Sequence, residues 1–376
     1  MNRVVPTNGV ITLQTAAVLL GAAGSVSSGP GARQDPAASI TASPRLDGQP
    51  YGVAISAAGD VLVARVFAGA VTRYTLQGTR PTGSLKVGYQ PVHVAIDATG
   101  SRAYVVDQGG QALYFIALSP FTVIDSLRLT NDGFNIAVAP NGRRVYVTTA
   151  DGRVYVVDAG DRTIVDSMRV GAVANGLAFS PCGDRLYVSS RVAGTVTVFD
   201  TRTDATIGTI FTGGAPQRLA VSRNGRRLFA ANEAAGVNVI ALPAGTLLAS
   251  IPLDGSGYGL GLSPDGEQLY ATNPLTGSVF IIDATHLQLI GVLHVGGVPR
   301  NVSFDRDGRT AIVTDGGGRV IFIRPLRVSR LDRHRPVGPA CVEVASGDDA
   351  GPPPNHRGLA RSSDAATPVV PTAPAE

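Results

Sequence analysis

A single hairpin that returns seven times along the chain predicts an all-β fold, a seven-bladed β-propeller of four-stranded antiparallel blades. The first observation is a turn glycine at Gly59, Gly100, Gly142, Gly183, Gly225, Gly266 and Gly308, spaced alternately by 41 and 42 residues. Periods of about 40 to 45 residues are those of four-stranded blades. The second is that the residues ahead of every glycine repeat as large, small, large. The third is composition: 46 glycines, 16% charged residues and many Val, Ile, Thr and Tyr favour strands joined by tight turns over helices.

The inner strand of each blade comes first. Six and four residues before the glycine stand Val53/Ile55, Val94/Ile96, Ile136/Val138, Leu177/Phe179, Leu219/Val221, Leu260/Leu262 and Val302/Phe304. Between them stand Ala54, Ala95, Ala137, Ala178, Ala220, Gly261 and Ser303. A period of two with apolar residues on both faces predicts a strand covered on both sides, cramped on the small-residue side, as where strands converge on a propeller axis. The turn follows, as Asn-Gly at 141–142 and 224–225 and Asp-Gly at 265–266 and 307–308, a tight-hairpin signal because glycine accepts positive φ.

The second strand places Tyr104, Tyr146, Tyr187, Phe229 and Tyr270 four residues after the glycine, with Val63 and Ile312 at the ends of the array. These rings are expected to fill the wedge between blades. A third strand follows, as in "RVYVVD" from Arg153, "TVTVFD" from Thr195 and "SVFIID" from Ser278, and then an outer strand, as in "TIVDSMRVG" and "LIGVLHVGG". The seventh copy lacks its outer strand, since "RVIFIRPL" runs into an arginine-rich stretch. "SITASPRLDG" at 39–48 reads like "LLASIPLDG" at 247–255, so the N-terminal segment is expected to supply that strand and close the ring, leaving fewer open edges.

Together the columns resemble the YVTN family of β-propeller repeats, best in "GYGLGLSPDGEQLYATN" with "SVFIIDATHLQLIGVLHVGG" and least in the first and seventh copies. The resemblance implies the fold and an exported or surface protein; it implies no particular activity. The blades also resemble those of the haem-d1 domain of nitrite reductases, which has eight blades and axial histidines. This chain departs from it, with seven copies and with His286 and His294 expected outside the channel. The absence of tryptophan separates it from WD repeats and tryptophan-docked quinoprotein propellers.

Outside the repeats, residues 1–28 carry Arg3, the apolar run "GVITLQTAAVLLGAAG" and small residues, read as a signal peptide. A linker at 29–38, the propeller at 39–326 and a disordered tail at 327–376 complete the expected organisation. A periplasmic or extracellular location follows, with no integral membrane segment after signal removal. The net charge of +4 is arginine-based, Lys86 being the single lysine, and no basic patch is interleaved with aromatics, so nucleic acid is not an expected partner. The run "RPLRVSRLDRHRP" at 324–336 reads as a solvated chain end. Cys182 and Cys341 are expected as free thiols, and no ligand cluster or haem-attachment motif predicts a metal or cofactor. A monomer is expected.

If the glycine turn closes the bottom of each blade, residues entering the inner strand and leaving the second strand lie together at the top mouth. Entering are Tyr51/Gly52, Val92/His93, Phe134/Asn135, Asn175/Gly176, Gln217/Arg218, Tyr258/Gly259 and Arg300/Asn301; leaving are Arg65, Asp107, Asn232, Glu233, Asn273 and Asp315. These positions differ from blade to blade, as an asymmetric pocket requires. The candidate ligand-binding residues are Tyr51, His93, Asn135, Arg218, Tyr258, Arg300 and Asn301, with arginines to fork onto a carboxylate or phosphate. The expected role is a binding or interaction module for an anionic small molecule or a partner protein. The alternative is a hydrolase of a sugar lactone. Lactonases of the 6-phosphogluconolactonase type look similar in using His, Arg and Glu at the channel mouth, which would implicate His93, Arg218 and Glu233. Their joined Pro-Arg-His is split here between Pro299-Arg300-Asn301 and His93.

Overall fold

The hairpin that opens each blade is shaped by its glycine. A computed structural model describes residues 38–326; the expected signal peptide, the tail and all of the linker but Ala38 lie outside the described residues. All seven turn glycines have φ between 65 and 89°, where a Cβ would clash with the backbone. The glycine amide donates to the carbonyl three residues earlier, as in Gly59 to Ser56 at 3.0 Å and Gly266 to Ser263 at 2.8 Å. In blade 1 three residues separate the hydrogen-bonded Ser56 and Asp60, and in blades 2 to 7 four do, as between Ser263 and Gln268. Each loop turns through a left-handed glycine and is not the two-residue turn that Asn-Gly and Asp-Gly otherwise signal. Asn141, Asn224 and Asp265 keep negative φ; their side-chain oxygens accept the N–H of Arg143, Arg226 and Glu267.

Twenty-eight strands form seven four-stranded antiparallel sheets, with no helix among the described residues. Blades 1 to 6 are contiguous in sequence, each running inner, second, third, outer. Blade 7 is completed from the other end of the chain: Ser39–Ala42 is its outer strand, paired antiparallel with Arg319–Arg324 through Ile40↔Ile323 and Ala42↔Phe322. The Leu46 amide donates to Gly318 O at 2.9 Å and the Val320 amide to Pro44 O at 3.0 Å. Leu46, 6% exposed, packs with Val61, Val63 and Tyr74 of blade 1 and Ile312 and Phe322 of blade 7. The predicted closure is therefore present.

The core is divided. Among the described residues seven apolar clusters alternate with the seven blades, each shared chiefly by two neighbours. The large residues of an inner strand face the preceding blade, as Val53 and Ile55 pack with Ile312 and Phe322. The small residue faces the following one, as Ala54 packs against the cluster holding Val94 and Val105. The small column is only half-buried, against the expectation of full cover, because it borders the channel. The crowding is real: a Cβ on Gly261 would lie 3.0 Å from the backbone oxygen of Val302. Tyr104, Tyr146, Tyr187, Phe229 and Tyr270 are at most 3% exposed, and Tyr146 and Tyr270 meet Phe179 and Phe304 of the next blade edge-on at 5.4 and 4.9 Å. Each buries about 150–250 Å².

Polar contacts repeat as well. At the hairpin face Arg102, Arg144 and Arg227 donate to the carbonyls of Ala159, Thr201 and Ala284, each 57 residues ahead in the next blade. At the opposite face Thr148, Ser189 and Thr272 donate at 2.8 Å to the inner-strand carbonyls of Asn175, Gln217 and Arg300, and Thr314 closes the ring onto Tyr51 O. In the outer strands of blades 2 to 6, Ile124, Val165, Ile207, Leu248 and Ile290 are β-bulge residues without a cross-strand partner. Bulges bend an exposed edge away from pairing with another chain. Cys182 corrects the free-thiol expectation: it is disulfide-bonded, to a partner outside the described residues.

Leu46→Ala is expected to cost about 2–5 kcal/mol, as burial in a shared cluster implies, and deletion of residues 39–45 to lower the denaturation midpoint further. Chemical denaturation checks both; a truncated protein that melts like the full chain would refute the closure. Maleimide is expected to label Cys182 in denatured protein only after reduction, read by peptide mass spectrometry.

Candidate functional site

At the end of the ring opposite the hairpins a cavity of about 330 Å³ opens. Its wall is built from one repeat column, the residue eight before the turn glycine: Tyr51, Val92, Phe134, Asn175, Gln217 and Tyr258. A second column, eight after the glycine, adds Gln108, Arg191 and Glu233. His93 and Arg218, seven before their glycines, complete the polar lining. Val173 in the wall has φ 57°, an uncommon conformation for a β-branched residue and a mark of local strain.

His93 and Arg218 belong to blades 2 and 5 and meet across the ring. Their column is glycine in blades 1, 4 and 6, where inner strands come closest: a Cβ at Gly52 would lie 2.6 Å from Val92 O, and one at Gly176 or Gly259 would collide with the carbonyl of Gln217 or Arg300. Arg218 Nη2 lies 2.8 Å from His93 Nδ1 and also contacts Nε2. Guanidinium can only donate, so the imidazole accepts and is neutral. His93 is 7% exposed, with its ring edge-on to Tyr51 at 5.4 Å. Burial, reinforced by the Arg218 charge, holds its pKa well below 6.5. Burial likewise pulls the Arg218 guanidinium below its ordinary range. Arg218 lies deep in the ring, yet part of its surface opens on the cavity. Among the described residues it has no carboxylate partner.

Glu233 is engaged elsewhere. Gln217 Nε2 donates to its Oε1 at 2.6 Å and Arg191 Nη2 to its Oε2 at 2.8 Å, while Asn175 Nδ2 donates to Gln217 Oε1. The lactonase-like trio of His93, Arg218 and Glu233 thus lines one cavity, but the ring nitrogens of His93 face Arg218 and both oxygens of Glu233 are taken by other groups.

The remaining predicted residues divide. Tyr51 and Tyr258 hydrogen-bond through their hydroxyls, and burial, then the neighbouring Tyr258, raises the Tyr51 phenol pKa. Arg300, in blade 7 between them, lies over both rings, 5.5 Å from the Tyr51 centroid and 5.2 Å from that of Tyr258, and is absent from the cavity wall. Asn135 accepts the Ile136 amide at 2.8 Å, and Asn301 donates to Tyr51 O at 2.8 Å; neither lines the cavity. Asp107, Asn232, Asn273 and Asp315, expected at the mouth, are fully buried. They tie down connecting loops: Asp107 accepts from Tyr89 and Gln90, Asp315 from Val298, Gly317 and Arg319. Arg191 and Gln108 line the cavity without having been expected there, and Gln217, expected at the mouth, lines it as well. The signal for Arg191 and Gln108 was Glu233 itself, which stands one column beyond the buried set.

A second cavity, of about 290 Å³, lies at the hairpin face, where Arg143, Arg144, Arg202 and Cys182 contribute to its wall. Arg144 is paired with Asp204 at 2.7 Å, and the disulfide partner of Cys182 is outside the described residues. The mouth cavity gathers the unpaired charge and the neutral histidine, and it is the candidate site. His286 and His294 lie outside the channel, bonded to Asp283 and Ser278.

No family model and no curated protein matches the chain. Solved structures match its fold. Hydrazine synthase of Kuenenia stuttgartiensis superposes with a TM-score of 0.68 at 17% identity, covering 76% of this chain and 96% of that one. The Cps50 (Swd1) β-propeller domain of Myceliophteria thermophila also gives 0.68, at 15% identity, covering 76% and 99%. At such identity the likeness establishes the propeller alone.

The buried neutral His93 sets a pH dependence. Below about pH 6.5 the unfolded chain takes up a proton at this ring that the folded protein refuses. Stability is therefore expected to fall as pH drops from about 6.5 toward the depressed native pKa, with a slope on the order of 1 kcal/mol per pH unit, and to be indifferent to this group above. His93→Gln removes that component, checked by urea denaturation between pH 7 and pH 5.

Proposed function

We propose that this chain is an exported binding module of the YVTN type that takes a small organic anion in the mouth cavity. One observation carries the reading: Arg218 opens on the cavity with a neutral histidine beside it and no carboxylate opposite. A guanidinium held away from bulk water without a counter-ion is costly, and an anionic ligand supplies that ion through forked hydrogen bonds. The cavity volume falls within the range of small-molecule sites, about 300–1,000 Å³, and its tyrosine, phenylalanine, asparagine and glutamine lining suits an organic body. The disulfide at Cys182 supports an oxidising compartment, in keeping with the signal-like residues 1–28 and a periplasmic or extracellular location.

Lactone hydrolysis is the less supported alternative. The ring nitrogens of His93 face Arg218, and burial with that charge makes the imidazole a weak base, while a general base must reach the proton it takes. Glu233 is held by Gln217 and Arg191.

Carboxylates are expected to stabilise the protein against heat, by about 2.7 kcal/mol at a hundredfold excess over Kd, and Arg218→Gln to abolish the effect. A differential scanning fluorimetry screen tests this; indifference to every organic anion would count against the site. Turnover of sugar lactones that disappears in His93→Ala would instead establish the hydrolase.

A further inference from the structure

We infer that the mouth cavity selects for a single negative charge, its ligand being a monocarboxylate with an aromatic or apolar body, and that Glu233 sets this count. The inference rests on the anion-binding reading above and concerns which anion. Four ionisable groups besides the phenols face the cavity: Arg218, Arg191, Glu233 and His93. His93 accepts from Arg218 and adds no charge. Arg191 and Glu233 cancel, joined at 2.8 Å. Glu233 is not a free rotor that could swing aside, because Gln217 fixes its other oxygen at 2.6 Å and Asn175 fixes Gln217.

Arg300, the remaining nearby cation, does not line the cavity; its guanidinium lies over the Tyr51 and Tyr258 rings, whose hydroxyls join. Among the groups that line the cavity the net count left to a ligand is one positive charge, on Arg218. A monocarboxylate satisfies it. A phosphate monoester, at about −1.5 to −2 near pH 7, or a dicarboxylate would carry a second charge toward Glu233, and like charges side by side in a partly enclosed site are strongly disfavoured. Rings at Tyr51, Phe134 and Tyr258 and aliphatic groups at Val92 and Val173 provide faces for the uncharged body of the ligand.

Isothermal titration of the full chain with phenylacetate, phenylsuccinate and phenyl phosphate tests the inference. The wild-type protein is expected to bind phenylacetate at least roughly tenfold more tightly than either dianion. Glu233→Gln releases Arg191 as a second cation, and the preference is expected to shift toward the dianions by a similar factor. Arg191→Gln leaves Glu233 uncompensated and is expected to weaken phenylacetate. It reads the same charge count if Glu233→Gln fails to fold, and an unchanged phenylacetate affinity there overturns the inference. Equal binding of mono- and dianions by the wild type, or an unaltered ratio in Glu233→Gln, overturns it as well. Binding of no probe by the wild type is a different failure, which removes the anion site itself.

Discussion

Convergence of seven inner strands on one axis is the constraint from which the rest of this structure follows. Close to the axis neighbouring backbones approach until a single Cβ matters: one at Gly176 or Gly259 would strike the carbonyl of the next blade. Further out the blades diverge, and Tyr104, Tyr146 and Tyr270 fill the widening gap. Small residues inside and large rings outside are two consequences of one wedge. Because each apolar cluster belongs to two blades, no blade has a core of its own, and the ring holds together only if the last blade meets the first. The strand Ser39–Ala42 and the Leu46 side chain provide that closure.

The same crowding shapes the site. Where glycine occupies the column beside the channel no side chain projects, and the space so left admits the long side chains of His93 and Arg218 from opposite blades. The meeting places a guanidinium against an imidazole, an arrangement that keeps the imidazole neutral and leaves the guanidinium without a counter-ion. Several other arginines are matched to carboxylates: Arg144 with Asp204, Arg191 with Glu233, Arg319 with Asp315. Arg218 stands apart from that pattern, and it does so inside a cavity.

Much of the scaffold was legible because a repeat averages its own noise: seven copies of a turn glycine, an alternating strand and an aromatic column leave little freedom. The misreadings share a cause. Asn-Gly and Asp-Gly signalled a hairpin correctly but not its loop, since the hydrogen-bond pattern of the whole turn decides which residue goes left-handed. Asp107, Asn232, Asn273 and Asp315 look polar and exposed in a list of residues, yet strand alternation turns them inward, where loop amides satisfy them. Arg300 looked equivalent to Arg218, but tyrosines from both flanking blades cover it. The disulfide at Cys182 is set by approach in space, which no local sequence pattern reports.

What the amino-acid sequence determined by itself was periodic: blade number, strand order within a blade, the packing columns, and the outer strand returned from the N-terminus. These rest on short-range rules of turn conformation and side-chain alternation, which act within a few residues and are written afresh in every copy. Tertiary structure alone decided which charges are compensated. Glu233 meets Arg191, Arg300 meets two rings, and Arg218 meets only His93, because each contact joins residues 42 or more positions apart whose distance is fixed by the closed ring and by nothing local.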